Sequence, residues 1–122
     1  MNNPVGWFEI CVQDISRAKA FYENVLSLKL DEIKMPGIEM WTFPMNPEGA
    51  GASGAIVKME GRPPGGNSTT VYFSCEDCAI EENKASIHGG KILKEKCSIG
   101  EHGFISLVTD TEGNMIGLHS MK

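Results

Sequence analysis

Residues 7–34, WFEICVQDISRAKAFYENVLSLKLDEIK, lie over residues 70–97, TVYFSCEDCAIEENKASIHGGKILKEKC, at a fixed offset of 63. The shift sets Phe8 on Val71, Ile10 on Phe73, Val12 on Cys75, Asp14 on Asp77 and Leu30 on Leu93. It also carries Trp41 onto Phe104, Gly54 onto Gly117 and Ala55 onto Leu118. A period of about half the chain marks a duplicated module and not a solenoid array.

Each module opens on a run of alternating apolar residues, 5–13 and 69–75, that reads as a strand. Asp14 or Asp77 then starts a helix as a cap or first-turn acid. Ile15, Ala18, Phe21, Tyr22 and Val25 give the first helix an apolar stripe for packing on a sheet. The second helix is poorer, with Ile80 and Ile87 among charges, and His88-Gly89-Gly90 ends it with a glycine C-cap. Three strands follow in each half, at roughly 28–34, 38–44 and 53–59, and at 91–96, 103–109 and 115–120. Gly61 to Asn67, with two prolines and three glycines, joins the halves as a linker. The expectation is an α+β fold of two β-α-β-β-β modules, 1–60 and 68–122, each helix covering one face of a mixed sheet and the other face left concave.

At 122 residues and a formal charge of −5, the chain has the size of one domain and no basic run to meet a nucleic-acid backbone. Met1-Asn2-Asn3-Pro4 carries no positive charge and no apolar stretch, and nothing later approaches the roughly 20 apolar residues that span a bilayer. A cytoplasmic protein with a small-molecule or protein partner is expected. Cys75-Glu76-Asp77-Cys78 matches C-x-x-C, but Cys11 and Cys97 form no second close pair for zinc. On a strand Cys75 shares a face with Val71 and Phe73, where it acts as a small hydrophobe.

Alternation assigns the faces. With Phe8, Ile10 and Val12 under the first helix, Trp7, Glu9 and Cys11 face the concavity; Thr70, Tyr72 and Ser74 do so in the second module. Gly54, Ile56 and Lys58 are expected to face it too, matched by Gly117 and His119, while Ala55 and Val57 turn inward. Aromatic walls with a few polar groups suit an organic ligand. Trp7, Trp41, Lys58, Thr70, Tyr72, Gly54 and Gly117 are the candidate ligand-binding positions, with His102 in a glycine-flanked loop as a rim residue. Glu9 and His119 form a candidate acid–base pair for proton transfer near neutral pH. The competing readings are a structural ion pair of Glu9 with Lys58 or His119, and a metal held at a shifted position.

The opening Val5 to Asp14 with Arg17-Ala18-Lys19-Ala20-Phe21-Tyr22, and the ending Asp110-Thr111-Glu112-Gly113-Asn114-Met115-Ile116-Gly117-Leu118-His119, resemble the vicinal oxygen chelate superfamily. This is the group of glyoxalase I, bleomycin-resistance proteins and extradiol dioxygenases. The resemblance covers nearly the whole chain and implies a glyoxalase-like fold, commonly paired as a homodimer. In metal-using members the ligands stand on the first and last strands of each module, which correspond here to Trp7, Gly54, Thr70 and Gly117. None is a competent divalent-metal ligand, so no metal or other cofactor is expected. The resemblance then implies a metal-free protein that binds a small organic molecule, as the bleomycin-resistance branch does. The alternative is a glyoxalase-like lyase, isomerase or dioxygenase-type enzyme working through Glu9 and His119.

Overall fold

A computed structural model describes residues 3–49 and 51–122; Met1-Asn2, part of the N-terminal reading above, and Ala50 lie outside the described residues. Phe8–Thr69 forms one compact unit, and the chain from Thr70 onward, with the residues up to Trp7, forms the other.

The first unit holds most of β1 (Val5–Cys11), then α1 (Ile15–Leu26), β2 (Asp31–Met35), β3 (Ile38–Thr42) and β4 (Ser53–Lys58). Its strands lie in the order β2-β3-β4-β1, with β2–β3 and β3–β4 antiparallel. The Asp14 side chain caps α1 by accepting from the Arg17 backbone N–H at 3.0 Å, a bond whose loss costs about 1 kcal/mol. Ile15 and Tyr22, seven residues apart, fall within about 20° on a helical wheel, and Tyr22 packs edge-on against Phe43, which reaches Phe8. Phe21 lies about 120° from Ile15 on the same wheel, so the expected stripe divides. Phe21 and Val25 are 58% and 60% exposed.

The face of β4 corrects the sequence reading. Lys19 of α1 sits 4.3 Å over the Trp41 ring, so Trp41 is on the helix side. Ile56 pairs with Trp41 and Lys58 with Glu39, which puts Ile56, Lys58 and, two residues back, Gly54 on that side as well. A Cβ on Gly54 would strike the Phe8 ring. Ala55 and Val57, opposite Thr42 and Met40, take the face turned away from α1.

The second unit holds most of β5 (Thr69–Ser74), then α2 (Cys78–Ile87), β6 (Lys91–Ser98), a single helical turn at Gly100–His102, β7 (Phe104–Thr109) and β8 (Met115–Ser120). Its order is β5-β8-β7-β6, parallel between β5 and β8 and antiparallel beyond, so the sheet is mixed as expected. Asp77 caps α2 through the Ala79 N–H and holds Lys96 at 2.8 Å. Cys78, Val108 and Leu118 form the core under α2, joined by Phe73, Cys75, Ala85, Phe104 and Ile116. Burying each large apolar side chain contributes roughly 1.5–3 kcal/mol.

Before β8, Asp110 builds the turn of the Asp-x-Glu-Gly-Asn stretch. Its Oδ1 accepts from the backbone N–H groups of Glu112 and Asn114, its Oδ2 from the Asn114 side-chain amide, and Gly113 takes φ 84°. Those bonds, the Asn114 amide first, hold the Asp110 carboxyl below its ordinary range.

Candidate functional site

In the second unit, β5 and β8 run side by side with Tyr72 opposite Gly117 and Ser74 opposite His119. Phe73, Cys75, Ile116 and Leu118 point to α2, so Thr70, Tyr72, Gly117 and His119 share the face turned away from it. Thr70 and Tyr72 are buried there, at 1% and 6% exposure. Gly117 is glycine for a steric reason. An added Cβ would land on the Tyr72 ring, against two of its edge carbons and 2.7 Å from Cγ. The space that a side chain at 117 would need is filled by tyrosine.

His119, expected on the concave face, and His102, expected at its rim, meet through the His102 backbone. The His119 Nε2 lies 2.6 Å from the His102 carbonyl oxygen. A carbonyl accepts only, so the neutral ring carries its proton on Nε2 and keeps Nδ1 as an acceptor. The His102 side chain itself is half exposed and lies 3.8 Å from the Glu101 carboxylate.

In the first unit, Trp41 and Lys58 line one open groove of about 750 Å³ together with Asp14, Arg17, Glu32 and Glu39. This groove is on the α1 side, and Gly54 beside Phe8 is on that side too. Alternation alone could not place Glu32 in the groove, since it joins Trp41 only through the β2–β3 register. Trp7 and His119 belong to the second unit and Glu9 to the first.

Of the four positions matched to metal ligands by the sequence offset, Gly54 stands on the α1 side against Phe8, and the residues at the other three do not fit a metal ion. Tryptophan offers only an N–H donor, threonine a neutral hydroxyl, and glycine nothing. At position 117 the Tyr72 ring also blocks any donor side chain. Among the described residues no three of His, Cys, Asp and Glu converge to hold a metal ion. Cys75 and Cys78 are free thiols. Burial, reinforced by the nearby Glu81 carboxylate, pushes the Cys75 thiol from 9.0 up to about 11, the reverse of what a redox-active or metal-binding cysteine needs.

The Glyoxalase/Bleomycin resistance protein/Dioxygenase superfamily model matches residues 5–118. The chain belongs to this superfamily. Two curated relatives of the superfamily member, each named "Putative glyoxylase CFP32", from Mycobacterium bovis and Mycobacterium tuberculosis, are 29% identical over 118 residues. That match covers 93% of this chain but 44% of each relative, so the chain spans less than half the length of the curated relatives it matches. Among solved structures, a methylmalonyl-CoA epimerase from Mycobacterium tuberculosis superposes with a TM-score of 0.70 at 15% identity, over 98% of this chain and 88% of that one. A Streptomyces coelicolor methylmalonyl-CoA epimerase in complex with 2-nitronate-propionyl-CoA gives 0.69 at 12% identity, over 95% and 92%. At these identities the likeness shows the fold alone. No helix among the described residues is long and apolar enough to cross a membrane.

Proposed function

We propose that this protein is a metal-independent member of the glyoxalase superfamily that binds a small organic molecule, with the face carrying Thr70, Tyr72, Gly117 and His119 contributing to the site. The observation that carries the reading is the Tyr72 ring lying over Gly117, which substitutes aromatic surface for a metal-donor position. Membership of the superfamily and the small ligand bound by the Streptomyces coelicolor neighbour support small-molecule binding. A cytoplasmic homodimer is part of the same reading, and a monomer in sedimentation at micromolar concentration would count against it.

The test is elemental analysis of protein purified without chelator, then melting with nickel, zinc, manganese or iron added singly. Absence of stoichiometric metal and of any melting shift supports the reading; an organic ligand is then sought by the stabilisation that binding confers on the native state. One metal per chain with a clear upward shift overturns it.

A second reading, an acid–base enzyme using Glu9 and His119, is favoured by the fixed orientation of the His119 ring. With a ligand in hand, Glu9→Gln and His119→Ala separate the two. Loss of turnover with retained affinity marks the enzyme, whereas parallel loss of affinity marks the binder.

A further inference from the structure

The loop between β6 and β7 is built tightly for its length. The Ile99 N–H donates to the Gly103 carbonyl at 2.8 Å, the Gly103 N–H to the Gly100 carbonyl at 3.1 Å, and the Gly100 N–H to the Ser98 hydroxyl at 3.1 Å. Gly103 is buried and takes φ 99°, ψ −133°, a conformation that side-chain-bearing residues rarely adopt. A Cβ at that position would collide with the Ser120 carbonyl oxygen and come within 3.0 Å of the Met121 sulfur. Ser120 follows His119 directly on β8, where Phe104 pairs with Ser120 and Ile105 with His119. Gly100 also takes a positive φ, 82°, but has open space around it, so Gly103 is the loop glycine whose lack of a side chain lets the turn's backbone press against β8, beside the imidazole that the turn's carbonyl accepts from.

We propose that Gly103 is a positioning residue for His119. The turn holds the ring with Nε2–H directed at the His102 carbonyl, which makes Nδ1 the nitrogen left for a ligand. The matching ligand class is an organic molecule that brings a hydrogen-bond donor or an acidic proton to His119; a ligand offering only acceptors finds no donor in the neutral ring. This extension rests on reading the β5–β8 face as a ligand face. The role given to residue 102 belongs to its backbone, because its side chain turns toward Glu101.

Long-range nitrogen–proton correlation spectra of the histidine rings, recorded on the ligand-free chain above the histidine titration range, test the proposal. The expected result is a single Nε2–H tautomer for His119 in the wild type and in His102→Ala, and loss of that single pattern in Gly103→Ala. An Nδ1–H or mixed tautomer in the wild type overturns the proposal, as does an unchanged pattern in a folded Gly103→Ala. Loss of the pattern in His102→Ala overturns it as well, since the acceptor is then not the backbone alone. If Gly103→Ala does not fold, the wild-type and His102→Ala spectra still decide. No ligand enters the measurement, so a fixed Nε2–H tautomer in a protein that binds metal at the family position refutes the proposed function while leaving the positioning intact.

Discussion

Replacing Gly117 by alanine should destabilise the protein through one identifiable clash. The new methyl carbon would fall on the Tyr72 ring, with Cγ at 2.7 Å, where carbon atoms need about 3.5–4.0 Å. The ring must retreat by roughly 1 Å, and at 6% exposure it has little free space to enter. Overpacking of this kind costs about 1–3 kcal/mol, and the upper end applies because a ring and a strand backbone meet. Alanine recovers about 0.5–1 kcal/mol over glycine in a strand from reduced chain entropy. The net is a loss of about 2 kcal/mol, or a fall in Tm of about 8 °C for a chain of this size. The same step in a Tyr72→Ala background should be neutral or slightly stabilising, although Tyr72→Ala alone costs about 3–5 kcal/mol. Urea unfolding of the four proteins then yields a coupling of about 2–3 kcal/mol. An equal penalty with and without the tyrosine ring, or a Gly117→Ala protein melting with the wild type, refutes the reasoning and removes the main support for a blocked metal position.

Two further outcomes follow from titratable groups. With its thiol raised from 9.0 to about 11, Cys75 should be alkylated by iodoacetamide at pH 8 about 100-fold more slowly than an ordinary cysteine, because the thiolate is the nucleophile; a site-resolved rate within a few-fold of free cysteine contradicts this. The same shift stabilises the fold below the unfolded value of 9.0 and loses that contribution as pH rises toward 11, since the folded thiol keeps a proton that the unfolded chain releases. Asp110 works in the opposite sense. Its lowered pKa stabilises the fold above 3.8 and the contribution is lost as pH falls through the folded value. Asp110→Ala should therefore be less stable than wild type at pH 7 and approach it in acid, and a difference that stays constant from pH 7 to pH 2 would contradict that role.

The duplication, the caps and the order of elements were legible because they rest on local chemistry. Asp14 and Asp77 cap the two helices at the places their positions before each helix suggested. The register of the late strands was not legible. Val12 N–H donates to the Val57 carbonyl, and Cys75 N–H to the His119 carbonyl, so Val57 corresponds to His119 at an offset of 62 and not 63. Trp41, opposite Ile56, then corresponds to Ser106, opposite Leu118, at an offset of 65. One residue of slip turns every side chain of a strand to the other face. Ten residues separate β3 from β4 and five separate β7 from β8, so the connections absorb a slip that no apolar pattern records.

That slip changes what the two glycines mean. Gly54 and Gly117 look like copies of one feature, yet Gly54 makes room for Phe8 on the α1 side and Gly117 makes room for Tyr72 on the face turned away from α2. The first strands keep the offset of 63, which makes Glu9 the counterpart of Tyr72, while His119 is the counterpart of Val57. Each polar group proposed for chemistry thus exists in one module only, with an aromatic or aliphatic side chain in its place in the other. The two modules therefore present different groups to a ligand. Glu9→Gln and His119→Ala should accordingly differ in their effects on any ligand, and equal effects would mean that the two residues act only through the stability of the fold.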